Sequence, residues 1–152
     1  MPRIKIWKKS WSQQLSTSEK LRTYEKFKNI FKFEKYLQSV DDHNDRNSMT
    51  RLRFSNSRHR LQINIGRYTI PKTHIHDRLC KNCSDNLVED EVHLLLECSK
   101  FNDLMRDFVS SCFNKNINRS NDISSKFIWL LSNEDNDVCR KIARFIKKNW
   151  FG

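Results

Sequence analysis

Apolar and polar positions alternate most regularly after Ser99. Phe101, Leu104, Met105, Phe108, Val109, Cys112 and Phe113 recur at steps of three and four, with Lys100, Arg106 and Asp107 off the stripe. That period lines one face of an α-helix. A second stripe, Val138, Ile142, Phe145, Ile146 and Trp150, predicts a last helix from about Asn136 to Trp150. Its other side carries Arg140, Lys141, Arg144, Lys147 and Lys148. Leu21, Tyr24, Phe27 and Phe31 form a third stripe, preceded by Ser16-Thr17-Ser18-Glu19, which reads as a capping box. Phe33, Tyr36, Leu37 and Val40 continue that helix or start a short one. The polar run Asp41–Asp45 interrupts the pattern and can cap a further helix near Asp45 or Arg46, with Met49 and Leu52 inward.

Other segments carry weaker signals. Leu61, Ile63 and Ile65 alternate with Gln62 and Asn64 up to Gly66, which fits a short strand or a helical turn. Pro71 pushes Ile70 towards an extended backbone, so residues 66–79 are expected to form a loop. Residues 114–126 are polar and read as a linker. The longest apolar run, Phe127 to Leu131, is far short of the roughly 20 residues a bilayer span needs.

Composition narrows the picture. A chain of 152 residues suits one domain, or one domain plus an arm. Only two glycines and two prolines occur, which excludes glycine-rich phosphate loops and disfavours turn-dense β-sandwiches. The start, Met1 to Lys9, has charge but no apolar h-region, so a secretory signal is not expected there. The formal net charge is +11, and it is segregated. Residues 1–79 hold 18 basic and 7 acidic side chains, whereas residues 80–152 hold 11 of each. Between Arg46 and His76 no acid appears, while Arg46, Arg51, Arg53, Arg58, Arg60, Arg67 and Lys72 do. A one-signed stretch of this kind attracts polyanions, nucleic acid foremost, and solubility alone would not require the segregation.

The candidate chemistry lies in Cys80-Lys81-Asn82-Cys83, His93 and Cys98, spaced Cys-x2-Cys-x9-His-x4-Cys. Two thiolates from one tight turn, with a third and an imidazole, meet the tetrahedral preference of one structural Zn²⁺. A closed site of that kind leaves no position for a reactive water. His93 is placed on a helix begun near Glu89-Asp90-Glu91, and Cys98 just past its end. His74 and His76 lie upstream and are alternative ligands; otherwise they are surface imidazoles. Cys112 and Cys139 fall on apolar stripes and read as small core residues. Five cysteines, an odd number without an export signal, favour reduced thiols and an intracellular protein of the nucleus or cytoplasm, not a secreted one.

The expected fold class is therefore mainly α: a small helical domain with a CCHC zinc knuckle between helices and a short β segment or turn near residues 61–65. Its parts are a basic N-terminal arm (1–15) anchored by Trp7 and Trp11, a basic helical region (16–79) and the knuckle with its following helix (80–113). A linker (114–126) and a C-terminal helical segment (127–152) complete it.

Several strings combine into something more specific. In order they are Ser18–Tyr24, Arg51-Leu52-Arg53, Leu61–Tyr68, Pro71-Lys72, Arg78-Leu79-Cys80-x2-Cys83, and Val88–Glu91 with His93 and Cys98; Lys141–Ile146 follows in the tail. Together they resemble the C-terminal region of reverse transcriptases from LINE-type (non-LTR) retrotransposons, most closely invertebrate ones, over roughly residues 11–150. The resemblance implies a mainly helical zinc-knuckle domain that holds template RNA or target DNA. It implies Cys80, Cys83, His93 and Cys98 as metal ligands and Arg51, Arg53 and Arg67 on the basic surface. Other retroelement proteins are implied partners. No Tyr-x-Asp-Asp string is present, and Asp41-Asp42 reads as a helix stop, so no enzymatic activity is expected.

The expected function is thus a non-catalytic zinc module that binds RNA or single-stranded or target DNA. Exposed aromatics such as Tyr68 or Trp7 would stack on bases. The competing expectation is a zinc-stapled protein-interaction adaptor. Association of the last helix with a membrane surface is the weakest reading, and no membrane partner is expected.

Overall fold

A computed structural model describes residues 2–55, 61–112 and 122–151. It is mainly helical, as the periodicities predict. The principal helices are α1 (Pro2–Thr17), α2 (Arg22–Phe27), α3 (Tyr36–Ser39), α4 (His43–Arg53), α5 (Gln62–Ile65), α6 (Asn102–Cys112), α7 (Ile123–Ser132) and α8 (Asn136–Ile146). Short 3-10 turns cover Glu19–Leu21, Ile75–Asp77 and Ser99–Phe101, and wide π-type turns cover His93–Glu97 and Lys147–Phe151. No helix among the described residues is long and apolar enough to cross a membrane.

Helix starts follow local chemistry. Asp42 accepts from the Asp45 amide at 2.8 Å and begins α4 two residues earlier than its apolar stripe suggests. Asp122 accepts from the Ser125 amide at 2.8 Å, so α7 opens inside the predicted linker, of which residues 114–121 lie outside the described residues. Asp135 caps α8 through the amides of Asp137 and Val138. Each carboxylate satisfies amides that the first helical turn leaves open.

Two expectations change. The basic N-terminal stretch is a helix anchored by Trp11 and not by Trp7: α1 runs through Thr17, and Trp11 and Leu15 pack onto the core while Trp7 is exposed. The expected capping box does not form, because Ser16 lies inside α1 with its hydroxyl donating to the Gln13 carbonyl at 3.1 Å, and Glu19 turns to distant cations instead. The segment at 61–65 is the helical turn α5, not a strand. The Leu61 carbonyl accepts from both Asn64 and Ile65 at 2.9 Å, which closes a helical turn. Ile63 and Asn64 are both buried, so the alternation of faces that a strand requires is absent.

The core is formed where α4 crosses α8, with α3 and α6 also against α8 and α2 against α7. Met49, Leu52, Phe127, Leu130, Leu131, Ile142 and Ile146 are fully enclosed there. Phe108 and Phe145 stack with centroids 4.4 Å apart, joining α6 to α8. The His93–Glu97 turn docks on α6 and α7 and inserts Leu94 and Leu95 into the same core. That insertion fixes the position of the site.

Candidate metal centre

The site is built on a narrow loop. Leu79 and Val88 form an isolated antiparallel bridge, with the Cys80 amide donating to the Leu87 carbonyl at 2.9 Å and the Glu89 amide to Arg78 at 2.9 Å. Cys80 and Cys83 lie in the turn beyond this bridge. The reversal passes through Asn86 in the left-handed region (φ 55°), which asparagine tolerates well. On the far side, Asp90 accepts from the His93 amide at 2.9 Å and caps the turn carrying the imidazole. The wide turn ends where the Cys98 amide donates to the His93 carbonyl at 2.7 Å. Cys98 and His93 are thereby held side by side.

The result is one cluster. The ligand atoms of Cys80, Cys83, His93 and Cys98 all lie within 4.8 Å of one another. Cys83 Sγ is 3.4 Å from His93 Nε2. A tetrahedron with Zn–S near 2.3 Å and Zn–N near 2.0 Å has edges of roughly 3.5–3.8 Å, so small side-chain shifts suffice to close on an ion. This Cys3His cluster can hold one metal ion.

The surroundings suit that role. Burial pushes the Cys80 thiol up to about 12 and raises the Cys98 thiol too, so these sulfurs keep their protons unless a cation replaces them. The Asn82 amide donates to Cys80 Sγ at 3.3 Å, which favours the thiolate once formed. His93 Nδ1 is buried without a hydrogen bond, and Glu97 Oε2 stands 3.9 Å away. With Nε2 directed at Cys83, a carboxylate behind Nδ1 is the arrangement that orients a metal-binding imidazole.

Glu89 is a residue that spacing alone does not single out. Its buried carboxylate accepts from Asn82 Nδ2 at 2.7 Å, meets Cys80 Sγ at 3.4 Å, and takes the Gln62 amide at 2.9 Å. It ties the cysteine turn to the start of α5. The only sequence signal is its place in an acidic triplet, which reads more simply as helix-end charge.

The alternative ligands are not brought to the cluster. His74 and His76 are exposed, with ring centroids 5.1 Å apart. Cys112 and Cys139 are buried, and burial raises both thiols, consistent with core residues.

The predicted basic residues divide by environment. Arg58 and Arg60 lie outside the described residues. Arg51 and Lys72 are exposed. Arg46 caps the preceding turn, donating to the carbonyls of Val40 and Asp41 at 2.9 Å each. Arg53 belongs to the core, which corrects its assignment to the basic face. It bonds the Leu131 carbonyl, pairs with Glu34 at 2.5 Å, and lies against the rings of Phe27 and Tyr36. Arg67 is largely buried and bonds Asn64 and the Ser55 carbonyl. Trp7 and Tyr68 are exposed, at 68% and 49%.

No protein-family model, curated protein or solved structure matches this chain.

Proposed function

We propose that the chain is a zinc-stapled, non-catalytic module that binds nucleic acid, RNA or single-stranded or target DNA, in the manner of the retrotransposon reverse-transcriptase region it resembles. The observation that carries the reading is the Cys3His cluster, in which four residues of knuckle spacing converge within 4.8 Å. Three thiolates and one imidazole select Zn²⁺ over harder cations and close its coordination sphere. The zinc would clamp the Cys80 turn to the wide turn of His93. Supporting the binding role, α1 contains no acid, and Lys5, Lys8 and Lys9 are exposed around Trp7. Arg51, Lys72 and Tyr68 add exposed cations and a stacking ring on the same basic half of the chain. Phosphate neutralisation by such cations releases counterions, so affinity falls steeply with salt.

Two measurements test this. Metal analysis of the purified chain should give about one zinc per molecule, and the Cys83→Ser chain should hold much less. Affinity for single-stranded RNA and DNA should fall as salt rises. A flat salt response, or no binding at low salt, rejects the nucleic-acid role.

A specific observation favours the adaptor reading: Ile30, Phe31 and Phe33 stand exposed in the segment between α2 and α3, at 58%, 49% and 62%. A partner protein covering that patch would be released by Phe33→Ser and be indifferent to salt.

A further inference from the structure

Glu19 sits at the junction of α1 and α2, and three cations from the loop after α5 converge on it. Arg78 Nη1 is 3.0 Å from Oε1, Lys72 Nζ is 3.2 Å from Oε2, and Arg67 Nε is 3.9 Å from Oε1. Behind them, the Asn64 side-chain oxygen accepts from Arg67 and, at 3.3 Å, from Arg22. Arg22 pairs in turn with the buried Glu91. The cluster therefore sets four cations against two carboxylates, with a neutral amide between two guanidinium groups.

The imbalance is local. Arg67 and Arg78 have side chains only 9% and 3% exposed, yet Nη1 of Arg67 has no hydrogen-bond partner. Arg78 is fixed by the Thr73 carbonyl at 3.1 Å and the Ile63 carbonyl at 2.6 Å. It also passes so close over Gly66 that a Cβ there would meet it at 2.6 Å. These guanidinium groups are preorganised. Glu19, by contrast, is 38% exposed and carried on a single short turn. A carboxylate with two oxygens on convergent Arg and Lys donors has the shape and charge of the non-bridging oxygens of a phosphodiester.

We propose that this cluster is a phosphate-binding site in which Glu19 holds the anion's place. Glu19 swings into solvent when a phosphate group docks on Arg67, Lys72 and Arg78, and Arg67 Nε, which faces Glu19 at 3.9 Å without a hydrogen bond, gains an acceptor. The half-exposed Tyr68, next to Arg67, is in reach of a neighbouring base. The source of the phosphate is the nucleic-acid backbone, which rests on the reading given above; the site itself requires only the anion.

The test uses the zinc-loaded full chain with inorganic phosphate, and in parallel a short single-stranded RNA. Glu19→Gln removes the competing charge and should tighten phosphate binding about tenfold, while Lys72→Gln should weaken it about fivefold. Asn64→Asp supplies a fixed negative charge between Arg22 and Arg67 and should also weaken binding about tenfold. Because Lys72→Gln alters an exposed side chain, the answer does not depend on Glu19→Gln folding. Phosphate affinity that is unmoved by Lys72→Gln and Asn64→Asp overturns the site. Salt-sensitive RNA binding indifferent to all three substitutions overturns it too, and leaves the nucleic-acid reading standing. Phosphate affinity that follows the substitutions in a chain that binds no RNA upholds the site and overturns that reading.

Discussion

The region of α4, α7 and α8 and the region of residues 78–101 are neighbours held by different forces. The first buries Met49, Leu52, Leu130, Leu131, Ile142 and Ile146 almost completely, so its stability comes from apolar area removed from water. The second contributes only Leu94, Leu95 and edge contacts to that core. Its shape is set instead by amide–carbonyl bonds across one β-bridge and by four ligand atoms within 4.8 Å. A region without its own apolar core would draw its stability from a bound ion, whereas a region with one needs none.

Each region also sends an arginine to a carboxylate outside it, Arg53 to Glu34 and Arg78 to Glu19, and the two clusters differ. Glu34 is enclosed: it pairs with Arg53 and Lys28 and accepts from Tyr24 Oη at 2.5 Å. Rings of Phe27 and Tyr36 close over Arg53. Glu19 meets three cations, one more than Glu34, but stands partly in solvent, and one of its partners retains an unsatisfied donor. The enclosed cluster serves the fold. The open one has the features of a place where ligands exchange.

Metal removal should separate the two regions most sharply. Chelation, or Cys98→Ser, should expose residues 78–101 to hydrogen exchange while α4 and α8 stay protected. The loss in the knuckle should be on the order of 10 kcal/mol of metal-coupled stability. Equal loss of protection in both regions would show that the ion organises the whole chain.

Breaking the enclosed cluster should act in the opposite place. Arg53→Met leaves Glu34 buried with one cation fewer and should cost about 4 kcal/mol in denaturant unfolding, with zinc content unchanged. The same cluster sets an acid response. Burial pulls the Glu34 carboxyl upward, but Arg53, Lys28 and Tyr24 together hold it below its ordinary value of 4.5. A lowered folded-state value contributes stability that is present above 4.5 and lost as pH falls through the lower folded value. Unfolding followed below pH 4.5 should therefore show an acid loss that Glu34→Gln flattens.

Smaller changes refine the comparison. Ile142→Ala, in the wholly buried face of α8, should cost about 3 kcal/mol by the same measurement. Asp135→Ala removes the cap of α8 and should cost about 1 kcal/mol. Both should leave metal affinity untouched; a fall in zinc content with either would mean that the core, not the ligands, positions the knuckle.

Much of the helical framework was legible because its signals are local. The stripes on α4 and α8 recur within one element, and Met49, Leu52, Val138, Ile142 and Ile146 are inward as their spacing predicts. The Cys3His cluster was legible for a related reason: its four residues fall within 19 consecutive positions and only a few residue types bind zinc. The 61–65 turn was ambiguous because a stretch that short fits both periods, and its amide–carbonyl closure decided it.

The sequence by itself determined which faces are apolar and which side chains have the chemistry to share an ion. Tertiary structure alone decided the fate of the charges. Arg78 meets Glu19 across 59 residues and Arg22 meets Glu91 across 69, while Arg53 leaves the surface for the core. Charge carries no period and no preferred partner along a chain, so a run of arginines looks uniform until folding selects which are neutralised inside and which face the solvent.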